Sequence, residues 1–111
     1  MRMPHLRFRA VKNEFVKELS AILPSILAPI MATSEDNFTF ECIATEFYAF
    51  GKPSESYPFI EVLWFARNQT IQNECALVIT EKVKLLTRAE DVVVVFTELD
   101  KISYYENGNH F

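Results

Sequence analysis

From Pro4 the chain alternates. Leu6 and Phe8 point one way, and His5, Arg7 and Arg9 the other. A period of two is the signature of a strand with one buried face. Pro4 suits the first residue of that strand, where a missing N–H costs least. From Val11 to about Met31 the spacing lengthens. Phe15, Leu19, Ile22, Leu23, Ile26, Leu27 and Ile30 recur at three and four residues and predict a helix with one apolar stripe. Lys12, Glu14, Lys17 and Glu18 fill its outer face. Pro24 removes a helical hydrogen bond and crowds the preceding turn, which predicts a kink or break near Leu23. A polar turn at Ser34 to Asn37 leads into a second alternating strand, Phe38 to Tyr48.

The second half repeats the pattern. Pro58 opens a strand running to Phe65, and Thr70 to Leu86 forms a helix with Ile71, Cys75, Val78, Ile79, Val83 and Leu86 on its stripe. Asn68 or Thr70 is placed to cap it. Val92 to Phe96 is a continuous apolar run of strand length, which predicts burial on both faces. Asn107-Gly108 between aromatic positions predicts a terminal hairpin. Gly51 to Ser56 joins the halves and is too short to separate domains. Pro4 and Pro58 stand 54 residues apart, about half of the 111. An internal repeat of this kind decides the architecture. The expected fold is α+β, a single domain over residues 1–111 with repeats at about 4–50 and 58–108. Two pseudo-symmetric β-α-β units form one four-stranded mixed sheet with both helices on one face, plus the short C-terminal hairpin.

That arrangement leaves the other sheet face without a cover, and the chain has no third helix to supply one. The expected cover is other subunits. Arg7, Arg9, Glu41 and Glu61 interrupt apolar strands on this side. They are either an ion-pair network at a subunit interface or channel wall, or an anion site built from the arginines.

Composition narrows the function classes. Half of the chain is hydrophobic and 14% aromatic, enough for a packed core. The net charge of −4 disfavours a nucleic-acid partner. No apolar run is long enough to span a bilayer, and the expected location is the cytoplasm. Cys42 and Cys75 read as two buried thiols, and with His5 and His110 they show no metal-ligand spacing. No metal and no cofactor are expected.

The residues resemble the tautomerase superfamily, which includes macrophage migration inhibitory factor. Met3-Pro4 matches the superfamily's start. Ala49-Phe50-Gly51 with its Ser/Glu/Ser turn is similar to the factor's mid-chain connector, and the Asn-rich turn closing on Phe111 to its tail. Arg67-Asn68-Gln69-Thr70 is similar to the Gly-Arg-Thr signature opening a helix in bacterial tautomerases. Met3 to Arg9, Glu61 to Phe65 and Tyr104 to Phe111 resemble a bacterial domain-of-unknown-function branch of that superfamily. The resemblance implies a homotrimer with a pocket between subunits, and no cofactor.

It also implies a chemistry. In active members the terminal proline is a general base for keto–enol tautomerisation. Burial lowers an amine's pKa by disfavouring the charged form, which frees the base at neutral pH. Carried over, Pro4 is the base, provided that translation starts at Met3 and the methionine is removed. Arg7, Lys12, Arg67 and Tyr104 are the candidates for holding a small carbonyl or carboxylate substrate. The lysine before the factor's second strand aligns near Ser34, and its last-strand tyrosine and asparagine near Val93 and Val95. The alternative is a non-catalytic trimeric module that binds a ligand or partner.

Overall fold

The computed structural model describes all 111 residues. Strand β1 (His5–Arg9) leads into α1 (Asn13–Met31) and β2 (Thr39–Ile43). A small hairpin of β3 (Tyr48–Ala49) and β4 (Lys52–Pro53) follows. The second unit is β5 (Phe59–Phe65), α2 (Gln69–Thr87) and β6 (Val93–Leu99), closed by the hairpin β7 (Tyr105–Glu106) and β8 (Asn109–His110). The main sheet has the order β2-β1-β5-β6. Each β-α-β unit makes a parallel pair, and β1 meets β5 antiparallel.

The parity read from the sequence sets the layers. Leu6, Phe8, Ile60, Val62 and Trp64 are fully or almost fully buried on the face that the helices cover. They form one core with Leu19, Leu23 and Leu27 of α1 and Cys75, Ile79 and Val83 of α2. Burial of each large apolar side chain is worth about 1.5–3 kcal/mol.

The repeat extends to single hydrogen bonds. Pro4 and Pro58 are both buried at the starts of β1 and β5. The Pro4 carbonyl accepts from the Thr39 N–H at 3.1 Å, and the Pro58 carbonyl from the Val93 N–H at 3.0 Å. Both helices have 19 residues and end in a left-handed residue, Ala32 or Arg88. Both hairpins turn on two positive-φ residues, Phe50-Gly51 (53° and 75°) and Asn107-Gly108 (52° and 84°). That is the turn geometry whose twist matches paired strands.

Three expectations change. Helix α1 runs through Pro24, and through Pro29, without a break. Leu19 and Leu23 before Pro24 and Leu27 after it are all fully buried, so packing of the stripe outweighs the lost hydrogen bond. The second strand ends at Ile43, because its partner β1 ends at Arg9, directly opposite. Tyr48 and Ala49 pair with Pro53 and Lys52 instead. The apolar run in β6 is not buried on both faces: β6 is an edge strand with one neighbour, and Val95 is 37% exposed.

Candidate functional site

A cavity of about 550 Å³ opens where the C-terminal ends of β5 and α1 meet the terminal hairpin. Its apolar wall is Met1, Met31, Phe65, Ala66 and Phe111, and its polar wall is Arg67, Lys101 and His110. No acidic side chain lines it. The wall is built by aromatic packing. Tyr104 meets Phe65 edge-on at 5.3 Å and Phe111 edge-on at 5.2 Å. The backbone N–H of Phe111 donates to the Tyr104 and Lys101 carbonyls, each at 3.1 Å, which holds the chain end against β5. Lys101 lies in a single helical turn that Asp100 caps through the Ile102 N–H, with its ammonium 5.7 Å from the Phe65 ring centre.

Arg67 is the most constrained cation of the cavity. Its Nε donates to the Met31 carbonyl at 3.3 Å, and a second guanidinium nitrogen donates to the Phe65 carbonyl. Its guanidinium carbon lies 5.5 Å from the Trp64 ring centre. Helix α1 has no basic residue in its own last turn. Arg67 therefore supplies the positive charge at a helix C-terminus that leaves carbonyls unpaired, and it ties α1 to the end of β5.

The other sequence candidates are distributed around the fold. Tyr104 stands behind the cavity wall. Its hydroxyl donates to Glu106 at 2.6 Å and accepts from the Arg2 N–H at 3.3 Å. Partial burial, and then the bond to Glu106, push its phenol above the usual range. The same bond holds Glu106 below the ordinary carboxylate value. Pro4 is buried at the start of β1, the end of the sheet that also carries the end of β5. In this chain its nitrogen is the amide of the Met3–Pro4 bond. Arg7 lies on the open sheet face, 3.1 Å from Glu41 and 3.6 Å from Glu61. Lys12 is at the far end of the fold, at the start of α1, lining a wide groove with Ala10, Cys42, Thr45 and Ser56. Pro4, Arg67 and Tyr104 thus share one end, and Arg7 and Lys12 are elsewhere.

Sequence reading did not assign Lys101, His110 or Met31 to a site. Met31 and Lys101 sit in no motif, and His110 lies in the Tyr104 to Phe111 segment without a role of its own there: the hairpin turn and the end of α1 bring the three together. Of the two cysteines expected to be buried, only Cys75 is: its burial pushes the thiol up to about 11, whereas Cys42, on the edge strand β2, is exposed. No group of His, Cys, Asp and Glu is placed to hold a metal ion. No helix is long and apolar enough to cross a membrane.

Residues 3–110 match a family described as a domain of unknown function, DUF1904. A protein of unknown function from Vibrio cholerae is 42% identical over 99% of this chain and 88% of its own, with a TM-score of 0.87. A DUF1904 domain from Sebaldella termitidis is 39% identical over 98% of this chain and all of its own, with a TM-score of 0.91. A fused 4-OT, a tautomerase-superfamily protein described as an asymmetric trimer, superposes with a TM-score of 0.83 over 96% of this chain and 95% of its own. At 12% identity, that likeness is one of fold. No curated protein matches the chain.

Proposed function

Because the chain belongs to the DUF1904 family and has the tautomerase fold, we propose that it is a homotrimeric module whose terminal cavity binds a small organic carboxylate or carbonyl compound. The carrying observation is the cavity wall. Arg67, Lys101 and His110 converge on one space with no acidic side chain in its lining, opposite the rings of Phe65 and Phe111 and the Met31 side chain. Such a space suits an anionic head on an apolar body: the cations satisfy the head and the aromatic wall takes the rest. Arg67 is prearranged, since two carbonyls and the Trp64 face fix its plane.

The catalytic reading is favoured by one position, Pro4, at the same end of the sheet as Arg67. A chain beginning at Pro4 would present a buried secondary amine there, with the cations stabilising a developing enolate. Calorimetric titration with small 2-oxo acids and their uncharged amides tests the binding reading. Binding of the acids that Lys101→Ala weakens is the expected result; equal affinity for acids and amides would overturn it. The intact mass of the protein from its native gene tests the catalytic reading, which fails if the mass retains Met3.

The trimer is supported by the uncovered sheet face, by the open edges β2 and β6, and by the trimeric description of the fused 4-OT.

A further inference from the structure

The sheet face turned away from the helices mixes two kinds of side chain. Ile43, Phe59, Leu63 and Val95 are apolar and at least partly exposed. Among them β1 carries a column of His5, Arg7 and Arg9, with Glu41 of β2 and Glu61 of β5 directly opposite Arg7 on either side. Glu41 accepts from His5 at 2.9 Å and from Arg7 at 3.1 Å. Glu61 lies 3.6 Å from Arg7 and 3.8 Å from Arg9, and accepts from the Thr97 hydroxyl at 3.0 Å. By strand parity no other titratable group of the four strands points to this face; Glu98 of β6 lies on the opposite side, in register with Trp64.

Two arginines therefore meet two carboxylates, and these four charges cancel. Ion pairs of this kind add little to a face that stays in water. A face that is to be covered needs them, because a charge stranded without a partner is costly. The balance also indicates the occupant. A strongly charged partner would gain nothing from a neutral face, whereas two identical neutral faces do not repel each other. The half-exposed apolar residues supply the contact.

We propose that this face is covered by further copies of the chain, and that Glu41 and Glu61 permit the contact by cancelling the arginines of β1, so that the assembly opens when these carboxylates lose their charge. The inference rests on the homotrimer proposed above and names what keeps it closed. In a single copy, water solvates the released cations. In the assembly, His5, Arg7 and Arg9 of every copy share one space, so loss of the carboxylate charge separates the copies before it unfolds them.

Light scattering on the eluting full chain at micromolar concentration and neutral pH tests this. The wild type is expected to be assembled. Glu41→Gln with Glu61→Gln is expected to associate roughly a hundredfold more weakly, the cost of stranding buried charge. Adding Arg7→Gln and Arg9→Gln to the same protein rebalances the face and should restore assembly. An assembled double variant overturns the inference and leaves the trimer standing; a wild type of single-chain mass overturns both. If the double variant does not fold, the wild type taken well below about pH 4, past the lowered range in which Glu41 still keeps its charge, decides. Separated copies with native circular dichroism support the inference, and an intact assembly overturns it.

Discussion

Replacing Arg67 by alanine removes a tie between α1 and β5 as well as a cation from the cavity. The guanidinium makes two bonds to main-chain carbonyls, one of them long at 3.3 Å. Hydrogen bonds from charged groups contribute about 1.5–3 kcal/mol when well made. The partial exposure of Arg67 and the long bond place this pair near the lower bound. The stacking on Trp64 adds about 0.5–1 kcal/mol, and the positive charge at the end of α1 about 0.3–1 kcal/mol. These contributions overlap, so Arg67→Ala is expected to cost roughly 2–3 kcal/mol. Arg67→Lys keeps the charge but not the planar fork, and should lose about half as much. Urea midpoints at a fixed protein concentration and constant slope give the numbers. A loss below about 0.5 kcal/mol, the same for alanine and lysine, would show that water satisfies the Met31 and Phe65 carbonyls as well as Arg67 does, and would refute the reasoning.

Three further outcomes follow from the structure. Glu41 is held below the ordinary carboxylate range by the His5 hydrogen bond first, then by Arg7, and Glu106 by Tyr104. A lowered folded-state value contributes stability that is present above the unfolded pKa and lost as pH falls through the folded one, so urea midpoints should drop in acid below the normal glutamate value of about 4.3; Glu106→Gln should flatten its part of that profile. Trp64 is 1% exposed and its Nε1 has no protein partner. Trp64→Phe therefore loses area but no hydrogen bond and should cost about 1–2 kcal/mol against about 3–5 for Trp64→Ala, read from the same urea curves. Gly108 has φ +84° with nothing near its would-be Cβ, so Gly108→Ala meets backbone strain alone; thermal melts should show a loss of about 1 kcal/mol, and an unchanged melting temperature would mean that the terminal hairpin adds nothing to stability.

The sheet and both helices were legible because their physics is local. The alternation of Leu6 and Phe8 with His5, Arg7 and Arg9 states which side is buried, and the proline-led repeat states that the unit occurs twice. Three features were not local. Whether Pro24 ends α1 depends on the burial gained by Leu27 beyond it, which residue spacing does not weigh against a lost hydrogen bond. The run Val92 to Phe96 has the composition of a central strand, but its place at the edge is set by strand order. The cavity joins Met31, Arg67, Lys101 and His110 from four separate stretches, and nothing in the neighbourhood of Met31, Lys101 or His110 says that the fold brings them to one space. Arg67 alone was legible, through its place before α2; its hold on the end of α1 was not.

The matched carbonyl bonds of Pro4 and Pro58 make the chain its own control. Each proline begins a central strand and presents a carbonyl to the first residue of the next parallel strand. Pro58 does so from mid-chain, where its nitrogen is permanently an amide. A proline at the head of a half-sheet is therefore explained by architecture alone, without any appeal to acid–base chemistry. Substitutions at the two positions can be read as a pair: whatever they share belongs to the scaffold, and only the excess at Pro4 can be credited to an amine.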